Sequence, residues 1–320
     1  MSNSETTPKH PPVLVLVVPC YNEAETLQTT NDRLTALLEK MIEERQILEK
    51  SHILYVDDGS TDGTWQLIET ISDSGLVKGL KLTRNFGHQP ALLAGMEFSS
   101  EADAVITIDA DLQDDINVIP IFVEKYREGS EVVYGIRDSR KNDTLFKRST
   151  ASWFYTLMRK FGVRLEYNHA DFRLLGRRAL DTLKEFPESN IFLRGVVPFM
   201  GFPSARVAYA RQKRIAGETK YPFGKMLAFA ADGVFSFSIV PIELIGTLGI
   251  FVIIVCLGMI VYSLIQNALG NVIPGWSSLI VSVWFLGGVQ LLSLRVIGEY
   301  LGRIFQQTKN RPRYLIEKST

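Results

Sequence analysis

The amino-acid sequence predicts an α/β domain with a mostly parallel sheet, followed by two transmembrane helices. Short apolar runs alternate with helical stretches, as in parallel sheets covered by helices. The predicted strands are Val13–Pro19, His52–Asp58, Val77–Thr83, Asp103–Asp109 and Glu131–Arg137. The predicted helices are Ala24–Glu49, Thr64–Ser72, Pro90–Ser99 and Ile116–Glu128. Further along, Leu244–Leu294 contains no Asp, Glu, Lys or Arg, and this is long enough for two spans of about 20 residues.

Polar residues follow the first two predicted strands where each strand ends. The run Val13–Val18 is followed by Pro19–Glu23. The run Ile53–Val56 is followed by Asp57 and Asp58. In open parallel sheets, ligands bind in the crevice at the carboxyl ends of the strands. Each motif alone is compatible with ordinary turn chemistry, but several such motifs at one edge favour a binding site.

The fourth predicted strand carries the strongest chemical signal. The apolar run Ala104–Ile108 leads into Asp109-Ala-Asp111-Leu-Gln113. Side chains two residues apart on an extended chain share a face, so Asp109 and Asp111 point the same way. Two converging carboxylates repel each other unless a cation lies between them. Oxygen ligands of this kind suit Mg²⁺ or Mn²⁺, and a solvated acidic turn is the alternative.

Three motifs resemble the signatures of family-2 inverting glycosyltransferases: V-P-C-Y-N-E at Val18–Glu23, V-D-D-G-S-T-D-G-T at Val56–Thr64 and D-A-D-L-Q-D at Asp109–Asp114. More narrowly, they resemble the polyprenyl- and dolichyl-phosphate sugar synthases, of the bactoprenol glucosyltransferase type. The similarity extends through Arg84–Met96, Asp171–Arg177 and Arg214–Tyr221. It covers about Val13 to Tyr221 and implies a nucleotide-sugar-binding, GT-A-like fold.

The resemblance implies roles for individual residues on the donor side. The nucleotide-binding positions are Pro19, Tyr21, Glu23 and Asp58. The positions for the metal ion and the diphosphate, which are also catalytic, are Asp109, Asp111 and Gln113. A divalent ion there, Mg²⁺ or Mn²⁺, would stabilise the leaving diphosphate as a Lewis acid.

On the acceptor side, the resemblance implies a polyprenyl phosphate held by Arg137, Arg148, Ser152 and Arg214. A phosphate monoester is largely dianionic at neutral pH, so it needs cations to hold it more than a base. A solvated basic rim attracted to anionic lipid is the alternative for each arginine. Asp171 is a further catalytic candidate, as a base or a sugar-positioning residue, unless it pairs structurally with Arg173 or Arg177.

The sequence divides into four predicted regions. Residues 1–12 are a disordered tail, 13–235 the glycosyltransferase domain, 236–302 a two-helix transmembrane hairpin and 303–320 a basic tail. The spans are Leu244–Ile265 and Trp276–Leu294, because a soluble hairpin would show a polar face. Basic, aromatic-rich helices at about 144–161 and 226–237 are predicted to lie at the membrane interface, with ordinary core packing as the alternative.

Charge around the predicted hairpin indicates its orientation. The loop between the spans has no Lys or Arg, whereas the tail after the second span is basic. By the positive-inside rule the tail is cytoplasmic, and two spans return the catalytic domain to the same side. We therefore expect a multi-pass inner-membrane protein with a cytoplasmic catalytic domain. Small residues in both spans would allow close helix packing, including in a homo-oligomer.

Other function classes lack their sequence signatures. Lys+Arg and Asp+Glu are balanced at 35 each, which gives no argument for nucleic-acid binding. Cys20 and Cys256 form no metal-binding or disulfide pattern. A processive polysaccharide synthase would carry Q-x-x-R-W, and no Trp here follows an Arg. A non-catalytic membrane scaffold has no need of an intact D-A-D-L-Q-D. UDP-glucose is the expected donor, with GDP-mannose or a UDP-aminoarabinose-type donor as alternatives.

Overall fold

The computed structural model describes residues 10–72, 75–137, 169–188, 191–210, 240–269 and 275–320. The predicted interfacial helices at 144–161 and 226–237 lie outside the described residues, and so do Arg148, Ser152 and Arg214. The described chain divides into two units. The sheet unit contains the described residues up to 210 together with Arg311–Thr320. The helical unit contains the described residues of Phe223–Asn310.

Eight strands of the sheet unit form one sheet, in the order β7-β5-β6-β4-β1-β2-β3-β8. Strands β1 to β4 run parallel, and β5 runs parallel to β7. Strand β6 is antiparallel to both β4 and β5, and β8 is antiparallel to β3. The predicted GT-A-like, mostly parallel sheet is therefore confirmed. The strands are β1 Leu14–Cys20, β2 His52–Asp57, β3 Val77–Leu82, β4 Ala104–Thr107, β5 Val132–Arg137, β6 His169–Gly176, β7 Ser204–Tyr209 and β8 Ile316–Ser319.

Helices pack on this sheet wherever the sequence alternates from strand to helix. They are α1 Ala24–Glu43, α2 Thr64–Ser72, α3 His88–Phe98, α4 Ile119–Arg127, α5 Arg177–Lys184 and α6 Leu193–Phe199. Helix α1 ends six residues before the predicted Glu49. Arg45 takes a positive φ of 55°, and the Gln46 N–H donates to the Met41 carbonyl. This is the bonding pattern that closes a helix C-terminus.

Helix α3 approaches the sheet at Gly95. A Cβ at this position would lie 2.3 Å from Val17 Cγ1 and 2.9 Å from Val56 Cγ2. Glycine therefore lets α3 lie directly on β1 and β2. This close approach fixes the N-terminus of α3, which begins at His88, near the carboxyl ends of the central strands.

The end of the chain is part of the sheet. The predicted basic tail at 303–320 supplies β8, which pairs with β3, so that Leu80 lies opposite Ser319. Glu317 lies 3.0 Å from Lys81 Nζ, and Lys318 donates to Glu69 at 2.5 Å. Residues on both sides of the helical unit therefore belong to one sheet-containing unit.

The helical unit consists of α7 Val240–Ala268 and α8 Trp276–Thr308, two neighbouring helices. Only one segment of the described chain, Val240–Met259 in α7, is helical, long and apolar enough to span a membrane. The first predicted span overlaps this segment. The second, Trp276–Leu294, lies in the helix α8 but is not among the described segments that meet these criteria. The structure thus supports one candidate span where two were predicted.

Candidate active site

The loop after β1 is fixed against the loop after β2. The Asn22 N–H donates to Ser60 Oγ at 3.0 Å, and Asn22 Oδ1 accepts from the Thr61 N–H at 2.9 Å. The Glu23 N–H donates to Thr64 Oγ1 at 2.9 Å. Pro19 is buried within β1, whereas Tyr21 leaves the strand and is exposed. The loops that carry the predicted nucleotide-binding residues are thus held together by direct hydrogen bonds.

Asp58 holds a third loop in place. Its two carboxylate oxygens accept from the backbone N–H groups of Phe86 and Gly87, at 2.7 and 2.9 Å. Burial raises the pKa of Asp58. The turn needs Gly59, which has a positive φ and would place a Cβ 2.4 Å from the backbone of Arg84. Asp58 therefore orients the segment that leads into His88.

The segment after β4 is bent and strained. Leu112 is buried and has a φ of 45°, a conformation that costs on the order of 1–3 kcal/mol for a residue other than glycine. The Gln113 N–H donates to Asp111 Oδ1 at 3.2 Å, and Thr30 Oγ1 donates to the Ala110 carbonyl at 2.7 Å. Asp111 is half-buried, while Gln113 is buried. Backbone strain of this kind is common at functional sites.

Strand β6 brings a second carboxylate beside Asp109. Thr107 lies opposite Arg173 in the antiparallel pairing of β4 and β6, so the residues two positions further on are Asp109 and Asp171. His88 Nε2 lies 3.7 Å from Asp109 Oδ1 and 3.5 Å from Asp171 Oδ2. Burial lowers the pKa of His88, but the bond to Asp171 and the charges of Asp109 and Asp171 raise it by more. His88 thus links the two carboxylates.

Asp171 is held by two arginines. Arg173 donates to Asp171 Oδ1, and Arg194 donates to Oδ2 at 2.9 Å. Burial would raise the pKa of Asp171, but Arg194, His88 and Arg173 together lower it well below its ordinary value. Asp171 is therefore a carboxylate with little capacity to accept a proton. Arg177, the other partner considered, instead donates to the backbone of Ser99 and Ala102.

Arg137 lies at the end of β5 beside a second buried carboxylate. Its Nε donates to Asp114 Oδ1 at 3.0 Å and to the Tyr209 hydroxyl at 3.2 Å. The Tyr209 hydroxyl in turn donates to Asp114 Oδ1 at 2.6 Å. About a quarter of the Arg137 side chain is exposed, against 1% of the Asp114 side chain. Arg137 thus combines a buried partner with access to solvent.

Comparison with known proteins identifies the family of the chain. The profile described as glycosyl transferase family 2 matches residues 15–184. "Uncharacterized glycosyltransferase YkoT" of Bacillus subtilis is 53% identical, over 96% of this chain and 91% of that protein. The "SfII prophage-derived bactoprenol glucosyl transferase" of Shigella flexneri is 40% identical, over 95% of this chain and 97% of that protein. The chain belongs to glycosyl transferase family 2.

The assignment rests on these sequence matches. Among solved structures, glucosyl-3-phosphoglycerate synthase from Mycobacterium tuberculosis aligns with 71% of this chain and 79% of its own, at 17% identity and a TM-score of 0.49. As a family-2 protein, the chain is a glycosyltransferase, which confirms the predicted enzyme class.

The acidic edge of this glycosyltransferase is suited to a divalent ion. Burial raises the pKa of Asp109, as do the nearby negative charges of Asp114, Asp171 and Asp111. A cation would relieve this repulsion. Within the described ranges, no three His, Cys, Asp or Glu side chains form a complete metal cage.

The structure brings together only part of the predicted site. Asp109 and Asp171 meet through His88, and Arg137 pairs with Asp114, whose charge acts on Asp109. The nucleotide-binding assignments remain predictions, and the structure adds to them the role of Asp58 in orienting its neighbouring loop. Sequence reasoning gave no role to four residues of the network: His88, Asp114, Arg194 and Tyr209. His88 and Asp114 stood inside recognised motifs, but no local pattern marked Arg194 or Tyr209.

Proposed function

We propose that this protein is a membrane-anchored, inverting glycosyltransferase that moves a single sugar from a nucleotide donor to the phosphate of a polyprenyl phosphate. The observation that carries the proposal is the meeting of carboxylates and arginines at the carboxyl edge of a family-2 sheet. Negative side chains there suit a metal-bound diphosphate, and positive ones suit an acceptor phosphate. The bactoprenol glucosyl transferase name of a relative that matches nearly the full chain supports the same acceptor class.

On the donor side, Pro19, Tyr21, Glu23 and Asp58 would bind the nucleotide. Asp109, Asp111 and Gln113 would hold Mg²⁺ or Mn²⁺, which when bound neutralises charge on the departing diphosphate. Because the loops are already bonded to one another, the protein would bind its donor with little reorganisation. Such preorganisation lets fixed charges act on the leaving group without a further ordering cost.

On the acceptor side, the nucleophile would be a phosphate oxygen that already carries negative charge. A phosphate monoester has a second pKa of about 6 and is therefore largely deprotonated at neutral pH. The reaction then needs no side chain to remove a proton. The low pKa of Asp171 supports a positioning role for this residue rather than the role of a base. Arg137, with Arg148, Ser152 and Arg214 from outside the described residues, would bind the acceptor phosphate.

The donor and the location complete the proposal. Glucose from UDP-glucose is the donor we favour, because one relative that matches nearly the full chain is named a bactoprenol glucosyl transferase. A hairpin formed by α7 and α8 would anchor the enzyme in the inner membrane. Sheet residues precede and follow the helical unit, which agrees with an even number of crossings. The positive-inside rule would then place the catalytic unit in the cytoplasm. Small residues in both helices leave room for a homo-oligomer.

The test is a transfer assay on the detergent-purified, full-length protein. Radiolabelled UDP-glucose, GDP-mannose and a UDP-aminoarabinose-type donor would each be supplied with undecaprenyl phosphate and either Mg²⁺ or Mn²⁺. We expect a metal-dependent, lipid-soluble product with UDP-glucose. A product from another donor would change the sugar and leave the reaction class intact. No lipid-linked product with any donor would reject the proposal.

A further inference from the structure

We propose that Arg194 is a phosphate-binding residue of the active site, in addition to the arginines predicted from the sequence. This inference rests on the proposed function, because it names a residue that binds a substrate of that reaction. Its ligand is a phosphate group, either the diphosphate of the donor or the phosphate of the lipid acceptor. Two structural features carry it: a fixed backbone, and the pairing of Asp171 with two arginines of which only Arg194 is accessible to solvent.

The backbone next to Arg194 is fixed on both sides. The N–H of Leu193 donates to Gln89 Oε1 at 3.1 Å, and its carbonyl accepts from Arg173 Nη1 at 3.2 Å. Leu193 is the first residue of α6, so these bonds attach the start of that helix to α3 and to β6. Arg194 therefore enters the site from a defined position beside His88 and Asp171.

The carboxylate of Asp171 accepts hydrogen bonds from two arginines. Arg194 approaches it side-on, with Nε 3.3 Å from Oδ1 and Nη2 2.9 Å from Oδ2. Arg173 binds the same carboxylate and is almost completely buried, with 3% of its side chain exposed. Arg194 is the accessible member of the pair, with 31% exposed. Counted alone, these three groups carry one net positive charge, and Arg194 is the most exposed of them.

Arg194 is therefore an accessible guanidinium group whose orientation is fixed by Asp171. Guanidinium groups match phosphate oxygens in geometry and form strong charge-assisted hydrogen bonds with them. The Asp171–Arg194 pair thus orients a cation toward a phosphate, whereas Arg173 supports the pair from within.

The experiment measures phosphate binding directly by titration calorimetry of the full-length protein in detergent. One arm uses UDP with Mn²⁺, and the other uses undecaprenyl phosphate. We expect Arg194→Ala to weaken one of the two affinities by at least about tenfold, the loss typical of a charge-assisted hydrogen bond, and to leave the other within about twofold. The arm that weakens identifies the donor or the acceptor as the source of the phosphate.

Controls separate binding from folding. Arg194→Lys keeps the charge but loses the planar fork, so its affinity should fall between those of wild type and Arg194→Ala. Arg178→Ala, which removes an exposed arginine stacked on Phe202, should change neither affinity. The inference is overturned if Arg194→Ala, folded with a wild-type melting temperature, binds both ligands within about twofold of wild type, or if the wild type binds neither. Because no turnover is needed, failure of the transfer assay would reject the proposed function separately.

Discussion

The sheet unit and the helical unit use apolar residues in opposite ways. Leu16 and Tyr55 of the sheet unit have no exposed surface, because strands and helices cover them from both sides. Ile250 and Phe251 of α7 are 62% and 61% exposed. A large exposed apolar surface marks a site that another apolar phase covers. The sheet unit therefore buries its own apolar residues, whereas the described helices need a membrane or another protein to cover theirs.

Charge is divided in the same way. The carboxylates and guanidinium groups of the active site all lie in the sheet unit. The helical unit has no charged residue from Leu244 to Leu294. The proposed chemistry and the proposed anchoring thus belong to different parts of one chain, and four substitutions can break or sharpen that division.

The largest effect is expected at the proposed metal position of the sheet unit. Asp111→Asn should lower transfer by about a thousandfold, because a metal ion supplies several kcal/mol of charge stabilisation and each 1.36 kcal/mol is about tenfold in rate. The protein should stay folded and remain in the membrane fraction. The matched control is Asp181→Asn on α5, an exposed aspartate paired only with its helix neighbours. Undiminished turnover of Asp111→Asn would refute its role as a ligand.

The next effect concerns anchoring. Phe251→Arg places a charge in the apolar centre of α7, which costs about 2.5–3.5 kcal/mol if that helix spans a bilayer. The fraction of protein that resists carbonate extraction from membranes should fall. Leu301→Arg is the control, since it adds the same side chain to the charged end of α8, between Glu299 and Arg303. Equal extraction of both variants would argue against a membrane around α7.

Two glycines give a third comparison. Gly95→Ala should destabilise the sheet unit by about 1–3 kcal/mol, because the new methyl group overlaps Val17 and Val56. Gly258→Ala in α7 meets nothing within 4 Å and should not destabilise the protein. Thermal melts of the two variants give the measurement. A lower melting temperature for Gly258→Ala than for Gly95→Ala would contradict the view that α3 is tightly packed at Gly95 and that α7 is exposed at Gly258.

The smallest effect is a pH dependence within the sheet core. Asp57 is fully buried; Oδ1 accepts from the Ser60 N–H, and Oδ2 has no hydrogen-bond partner among the described residues. Burial raises the pKa of Asp57, so the folded protein binds this proton more tightly than the unfolded chain, and stability falls as pH rises through the folded pKa. Asp57→Asn removes this titration.

The advantage of Asp57→Asn over wild type should therefore be larger at neutral than at acidic pH, by about 2 °C in melting temperature. Thermal melts of both proteins across that range give the measurement. A difference in melting temperature that is constant with pH, or larger in acid, would contradict a raised pKa for the buried Asp57 carboxyl group.

The parallel part of the fold and the acidic edge could be predicted from the sequence. Strand β1 reads as a continuous apolar run because it is buried on both faces, and the paired Asp109 and Asp111 follow β4 directly. Strand β8 could not be predicted in this way. Its sequence Ile-Glu-Lys-Ser is exposed at every position, so it has no hydrophobic pattern, and its backbone pairing with β3 decides its structure.

The central network also depends on pairings that no local pattern reveals. Strand β6 enters between β4 and β5, and this antiparallel insertion brings Asp171 beside Asp109. Arg194 reaches Asp171 from a helix that follows two elements later in the chain. Residue types and spacings predicted the carboxylates Asp109 and Asp171. Only the long-range pairing of the folded chain shows that His88 and Arg194 contact them.

The most direct test of this division between a catalytic sheet and a membrane anchor is mass spectrometry of the lipid product. The full-length protein would be reconstituted in liposomes that contain undecaprenyl phosphate, with UDP-glucose and Mg²⁺ or Mn²⁺ outside. We predict a lipid phosphate whose mass has increased by one hexose and no more. A ladder of longer products, or a sugar found only in the water-soluble fraction, would contradict transfer of a single sugar to a membrane-held phosphate.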